Sequence, residues 1–240
     1  MSLQLVIYGP EGEQFNQYTT QRWPFGTQLV MQDGRKFRFS YAPTLLVVGN
    51  LLTAAANVAN HVNTTAVASA AGSNSPSTTL GATAAAANLY AEGYACVSVT
   101  PDAGHAYKID NHLYNAGSAA LVLNLAQGVG IENAWTTTSR VDLIKNPYDG
   151  VIQAPVTTIT ASPVGVAVEP IAAGAYGWIQ TAGIASVLTS GTVILGNPVG
   201  YIQVAAAVGP IAAVTDSVVG FCQRVAASGA WSDIKLLLDA

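Results

Sequence analysis

The sequence predicts an all-β protein of β-barrel or β-sandwich modules, with hairpin repeats, a flexible N-terminal arm and one minor helix. Three observations predict it. Short β-branched and aromatic runs recur about every 8–12 residues between Gly, Pro, Asn and Asp clusters, the rhythm of a sandwich or barrel. A clause also repeats: Pro163-Val164-Gly165-Val166-Ala167-Val168-Glu169-Pro170-Ile171-Ala172-Ala173-Gly174-Ala175-Tyr176-Gly177-Trp178-Ile179 returns as Val219-Gly220-Phe221-Cys222-Gln223-Arg224-Val225-Ala226-Ala227-Ser228-Gly229-Ala230-Trp231-Ser232-Asp233-Ile234. Each copy reads as a Val-Gly strand, an Ala-Ala/Gly turn and an aromatic-led return strand, which is hairpin chemistry. Finally, 50 % of the residues are hydrophobic and only 9 % are charged, against roughly 25 % in soluble domains. With so little charge, much of the surface is expected to be buried against partners.

Taken in order, residues 1–22 read as an arm: Gly9-Pro10-Glu11-Gly12 is turn chemistry and Gln14–Arg22 is polar without a period. A β domain is expected over 23–150. It opens with Trp23-Pro24-Phe25-Gly26 and a hairpin, strand Thr27–Gln32, turn Asp33-Gly34 and strand Arg35–Ala42. The charges of Arg35, Lys36 and Arg38 are read as its outer face. Leu45–Leu52 is a further apolar run. An Ala/Thr/Asn-rich excursion follows at 53–89, with a short helix expected near Thr53–His61 because Ala favours helix, and a helical turn at Ala84–Leu89.

Regular strand-length runs then appear at Tyr94–Thr100, His105–Asp110, Ala119–Leu125 and Ser139–Ile144. A composition shift near Asn146–Ala161 marks the best internal boundary. A second, barrel-like β domain carrying the repeat is expected over 151–240, with strands at Val164–Val168, Tyr176–Gln180, Ser186–Leu188, Gly200–Val204, Val218–Val225 and Trp231–Leu238. Two copies suggest a pseudo-duplication; a solenoid needs at least about three.

The chemistry sought is not found. The net charge of −4, with 9 Lys and Arg scattered along the chain, argues against a nucleic-acid partner, which asks for a basic face. Every apolar run is broken short of ~20 residues, so no membrane helix is expected. The N-terminus lacks the basic start of a secretory signal. No nucleotide, metal or hydrolase motif stands in the chain. His105, Asp110 and His112 form the best titratable cluster, but strand alternation puts His105 opposite the other two, so no metal site and no cofactor are assigned. Asp102, Asp142 and Asp149 are single carboxylates beside turns. Cys96 and Cys222 lie in apolar runs, with buried free thiols the default and a disulfide left open.

Several clauses resemble structural proteins of tailed bacteriophages, marine and cyanobacterial ones especially. They are Phe25-Gly26-Thr27-Gln28-Leu29-Val30, Asp33-Gly34-Arg35-Lys36-Phe37-Arg38-Phe39, Gly49-Asn50-Leu51-Leu52, Tyr90-Ala91-Glu92-Gly93-Tyr94, Gly104-His105-Ala106-Tyr107-Lys108-Ile109, Val141-Asp142-Leu143-Ile144-Lys145-Asn146-Pro147-Tyr148-Asp149-Gly150-Val151 and Val219-Gly220 with Arg224-Val225-Ala226-Ala227. The resemblance implies a non-enzymatic virion component on the capsid surface, most like a head decoration or cement protein. Such a protein clamps the major capsid protein, often as a homotrimer. The interface residues expected on this reading are Leu5, Ile7 and Tyr8 of the arm, Trp23 and Phe25 at the domain start, and Tyr176, Trp178 and Trp231 in the repeat. Aromatics that fill interfaces are the plainer reading; exposed ones stacking on sugars would instead suit a tail or head-fibre module that recognises host glycans. A major shell protein is the third reading, and the chain lacks the long helix pattern expected of it.

Overall fold

A computed structural model describes residues 6–156, 159–202, 204–214 and 216–239. It is all-β. The strands are β1 Val6–Tyr8, β2 Gln17–Tyr18, β3 Gln28–Val30, β4 Lys36–Ala42, β5 Leu51–Thr53, β6 Thr64–Ala66, β7 Ser77–Thr79, β8 Tyr94–Val99, β9 Ala106–Asn111, β10 Ala120–Val122, β11 Asn124–Leu125, β12 Arg140–Ile144, β13 Ile152–Gln153, β14 Pro163–Ala167, β15 Ala175–Leu188, β16 Pro198–Tyr201, β17 Val208–Pro210, β18 Ser217–Cys222 and β19 Trp231–Leu237. Two 3-10 turns, Glu13–Phe15 and Ala59–His61, are the helical elements among the described residues. The helix expected over Thr53–His61 is therefore reduced to its last turn. Its first residue closes β5, and the following Ala run is not long enough to nucleate a helix unaided.

The chain divides into two compact units. Unit 1 comprises residues 1–55 and 147–240, and unit 2 is the continuous segment 56–146. This differs from the expected division at 22/23 and 150/151. The 53–89 excursion is not a loop on the first β domain: with β6 and β7 it is the start of a unit of its own, and residues 23–55 belong with the C-terminal half.

In unit 1 the sheet runs β1-β3-β4-β15-β19-β18-β16-β17, with β2, β5, β13 and β14 attached off that path. The predicted hairpin is present. Strands β3 and β4 pair antiparallel from Gln28↔Arg38 to Val30↔Lys36, and Gly34, at φ 84°, lets the chain reverse after Asp33. Phe37 and Phe39 are fully buried on one face of β4. Residues 6–22 are not a free arm. Strand β1 lies parallel to β3, Gly9 N–H donates to the Val30 carbonyl at 3.3 Å, and β2 pairs with β15.

Strand β15 organises the unit. Its first half pairs with β4, from Ala175↔Ala42 to Gln180↔Phe37. Its second half pairs with β19, from Ala182↔Leu237 to Leu188↔Trp231. Two separate strands, Tyr176–Gln180 and Ser186–Leu188, were expected here, where the structure has one. A bulge lies between Gln180 and Ala182, and a bulge turns a strand without ending it. One strand thereby serves two cores. Phe37, Phe39, Leu29 and Trp178 form the first, and Val187, Val199, Tyr201, Val219, Ile234 and Leu236 belong to the second.

In unit 2 the sheet order is β10-β7-β6-β12-β8-β9-β11, over a core of Tyr90, Ile109, Leu121, Leu123, Trp135, Val141 and Leu143. Neither sheet closes among the described residues, so the architecture is that of open, sandwich-like sheets and not of a barrel.

One local device recurs in both units. Connections cross in antiparallel pairs at Leu46↔Ile171 and Val193↔Ala226 in unit 1, and at Ser69↔Trp135 and Ala85↔Asn115 in unit 2. After the crossing residue comes a tight turn, as in Ala175 N–H to Ala172 O at 3.1 Å and Ala230 N–H to Ala227 O at 3.1 Å. Its third residue is left-handed: Gly174 has φ 79° and Gly229 has φ 82°, the φ > 0 position of a type II turn. The same residue then donates across the crossing. Gly174 N–H reaches Ala42 O at 2.8 Å and Gly49 N–H reaches Ala167 O at 2.7 Å; Gly229 N–H reaches Thr189 O and Gly196 N–H reaches Cys222 O, both at 2.8 Å. The repeated clause in the sequence is thus two copies of one clasp. Its strands do pair as hairpins, β14 with β15 and β18 with β19, and each hairpin tip is gripped by a second connection.

Candidate interaction surface

Most of the aromatic residues singled out in the sequence gather on unit 1. Register places Tyr41 opposite Tyr176 and Phe39 opposite Trp178 on one face of β4 and β15. Trp23 covers them, with ring centroids 5.1 Å from Trp178 and 5.2 Å from Phe39. Tyr18 stands edge-on to Trp23 at 5.3 Å, and Phe25 stacks on Tyr176 at 6.1 Å. Edge-to-face and offset pairs of this kind are the favoured ring geometries. The polar rim is internally satisfied. Tyr18 Oη donates to Glu13 Oε1 at 2.6 Å, Trp178 Nε1 donates to the same oxygen at 3.4 Å, and the Arg22 guanidinium lies 4.8 Å from the Tyr18 ring centroid. Burial, and then the Glu13 carboxylate, push the Tyr18 phenol up.

Trp178 belongs to the buried core of this cluster, with Ile7, Trp23 and Tyr176 packed against it. Trp178 is fully buried, and Ile7, Trp23, Phe25 and Tyr176 are half-buried around it. Pairing of β4 with β15 turns Trp178 inward, so for Trp178 the expected outward contact is corrected. Tyr8 is 78 % exposed, and Leu5 lies outside the described residues.

Trp231 is different. It is 49 % exposed and begins β19, on the outward face of the sheet where β15, β19 and β18 run side by side. Strand partners directly opposite point the same way. Leu188 beside Trp231, Ser186 beside Asp233, and Ile184 beside Lys235 therefore share that face. Phe221 and Pro198 extend the Lys235 row. Ile184 is 58 % exposed, and Phe221, Val225 and Leu237 are exposed as well. Arg224 pairs with Asp233 at 2.7 Å, so the charge on this face is partly neutralised from within. An open hollow of about 640 Å³ at one end is lined by Arg35, Lys36, Ile184, Lys235, Leu237 and Asp239. Beside it Arg38 grips Asp239 in a two-pronged pair at 2.6 and 2.7 Å, whose hydrogen bond holds the Asp239 carboxyl below its ordinary range.

In unit 2 the sequence reading missed a polar centre. Asp102 is buried, and its carboxylate accepts from Tyr107 Oη at 2.7 Å, Trp135 Nε1 at 2.8 Å, and Asn133 N and Nδ2 at 3.1 and 3.2 Å. His105 Nδ1 stands 3.1 Å from the same carboxylate. Burial alone would push the acid up, but the hydrogen bonds outweigh it and hold it below its ordinary value. The carboxylate thereby ties the Pro101–Gly104 turn to β9 through Tyr107 and to the Asn133–Trp135 connection. His105, Asp110 and His112 do not come together: His112 is buried while Asp110 is exposed. Among the described residues no three His, Cys, Asp or Glu side chains converge as metal ligands. Cys96 and Cys222 are free thiols; burial, and then nearby Asp142, push Cys96 up, away from reactivity. Comparison with protein-family models, with curated proteins and with solved structures finds no match to this chain.

Proposed function

We propose that the chain is a non-enzymatic virion structural protein, a decoration or cement protein that binds the major capsid protein and stabilises the head shell at its outer surface. On this reading it works as a homo-oligomer, with a trimer favoured, and needs no cofactor, nucleic acid or membrane. One observation carries the reading: the outward face of β15, β19 and β18 sets Ile184, Phe221, Trp231 and Leu237 in solvent around an internally paired Arg224–Asp233. Exposed apolar residues that include an aromatic, set beside a satisfied ion pair, are the composition of a protein contact. It fits a chain whose charged fraction is 9 %.

The mechanism is physical. Burying this face across a capsomer junction removes apolar surface from water and opposes separation of the subunits it touches. A contact of about 1,600 Å² is a standard stable interface, and repetition over a shell multiplies weak contacts through effective concentration. The clasps suit the role, because each ties a hairpin tip to a second connection by backbone bonds. The test is occupancy on particles of a Trp231→Ser, Phe221→Ser double variant. The expected result is at least about a tenfold loss of affinity, about 1.4 kcal/mol, with the same denaturant midpoint as the parent. Undiminished occupancy overturns this face as the contact.

A further inference from the structure

Two buried histidines hold one of the clasps of unit 2, and the ring nitrogens of His112 are partnered in a way that suits only the neutral imidazole. His112 Nε2 accepts the backbone N–H of Tyr90 at 3.0 Å, while its Nδ1 meets the carbonyl of Leu113 at 2.8 Å and so carries the proton. His61 Nε2 meets the carbonyl of Thr83 at 2.8 Å, so its proton sits there, and its Nδ1 takes the Tyr90 hydroxyl at 2.6 Å. Both side chains are buried. A second proton on His112 would set N–H against N–H, because a backbone amide cannot reverse its role, whereas the Tyr90 hydroxyl at His61 can either donate or accept.

These bonds sit at the Ala85↔Asn115 crossing. Asn88, the left-handed residue of that clasp, donates its N–H to His112 O at 3.0 Å, and its side-chain oxygen accepts His112 N–H at 3.1 Å. Thr83, held by His61, lies just before Ala85. Leu113 and Tyr114 follow His112 directly and are 81 % and 65 % exposed; with Leu121 and Val122 they line an open hollow of about 420 Å³. The His112 ring thus fastens the base of an exposed apolar segment.

We infer that His112, with His61 and Tyr90, is an acid-sensitive latch that keeps the Ala85–Asn115 clasp closed and the Leu113–Tyr114 segment in place. The titratable groups facing the His112 ring are Tyr90 from the 86–92 turn and His61 from the 59–61 turn. Glu92 on the first of these is half-buried, and Lys108 and Asp110 on β9 are exposed. Burial, and then the neighbouring His61, hold the His112 imidazole below its ordinary value, against a smaller upward pull from the Leu113 carbonyl. A base with a lowered folded-state pKa gives stability that is full above its ordinary pKa of about 6.5 and is lost as pH falls through the folded value.

The experiment is hydrogen exchange with mass spectrometry on the full chain from pH 7.5 to 4.5, corrected for intrinsic exchange chemistry. Peptides over 83–93 and 109–119 are expected to lose protection at least tenfold below pH 6, while β4 and β15 of unit 1 keep theirs. His112→Gln, which supplies a non-titrating acceptor for the Tyr90 amide, is expected to abolish that response. Unchanged protection of those peptides to pH 4.5, or equal loss in both units, overturns the latch. So does an acid response that persists in His112→Gln. Should His112→Gln not fold, the imidazole proton resonances of the parent decide: titration of His112 at or above the ordinary imidazole value contradicts the proposal.

Discussion

Units 1 and 2 use the same clasp and fill their cores differently. Unit 1 packs Trp178, Phe39, Phe37 and Leu29 on one side of β4 and β15 and mainly aliphatic residues around Tyr201 in its second core, with ion pairs such as Arg38–Asp239 and Arg224–Asp233 outside these cores. Unit 2 encloses Asp102, His61 and His112 within its fold and spends them on backbone ties. Apolar packing is indifferent to pH and costs little specificity when one methyl changes. A buried polar network is unforgiving, because each lost partner strands another group without water. The same clasp is therefore set in two chemistries, and the two should fail differently.

The largest effect is expected in unit 1. Trp178→Ala removes the central ring of its aromatic cluster and should cost about 3–5 kcal/mol, seen as a lower urea midpoint for unit 1 peptides in hydrogen exchange. A cost confined to unit 2 would dissolve the comparison. Next comes Asp102→Asn, which keeps the shape but sets an amide among the donors of Tyr107, Trp135 and Asn133. It should cost about 2–3 kcal/mol, localised to unit 2 and reported by Trp135 fluorescence. Linkage sharpens this. Because Asp102 has a lowered folded-state pKa, its contribution is full above about pH 4 and disappears as pH falls through the folded value, so parent and variant should converge in strong acid. The smallest effect is at the clasps. Unit 1 places Gly at the left-handed turn position, whereas unit 2 uses Asn88 and Ser118 at two of its own, with φ 61° and 60°. Ser118→Gly should stabilise unit 2 by about 1 kcal/mol, measured by chemical denaturation; a loss would show that the Ser118 side chain matters beyond its backbone.

What the sequence made legible was local. Alternation in Arg35-Lys36-Phe37-Arg38-Phe39 correctly marked a strand after an Asp-Gly turn, and the repeated clause correctly marked a recurring unit. What it hid was pairing at long range. Nothing in residues 23–55 shows that their strands pair with residues beyond 147, because the hydrogen bonds of a sheet leave no trace in either strand alone. For the same reason Trp178 looked like a surface contact until β4 lay beside β15. Asp102 stood in Pro101-Asp102-Ala103-Gly104 as turn chemistry; its partners are Tyr107 on β9 and Asn133 and Trp135 on a distant connection. Strand parity did separate His105 from His112, but burial of His112 depends on the 86–92 turn folding over it. Trp231 was singled out for its place in the repeat, and with Phe221 it stays half in solvent, at the outward-facing start of β19.

The measurement that tests the central claim most directly is the copy number of this chain in purified particles, relative to the major capsid protein, by quantitative mass spectrometry. A decoration protein is predicted to be present at equality with that protein or at a simple symmetry fraction of it. A handful of copies, or none, would contradict the account.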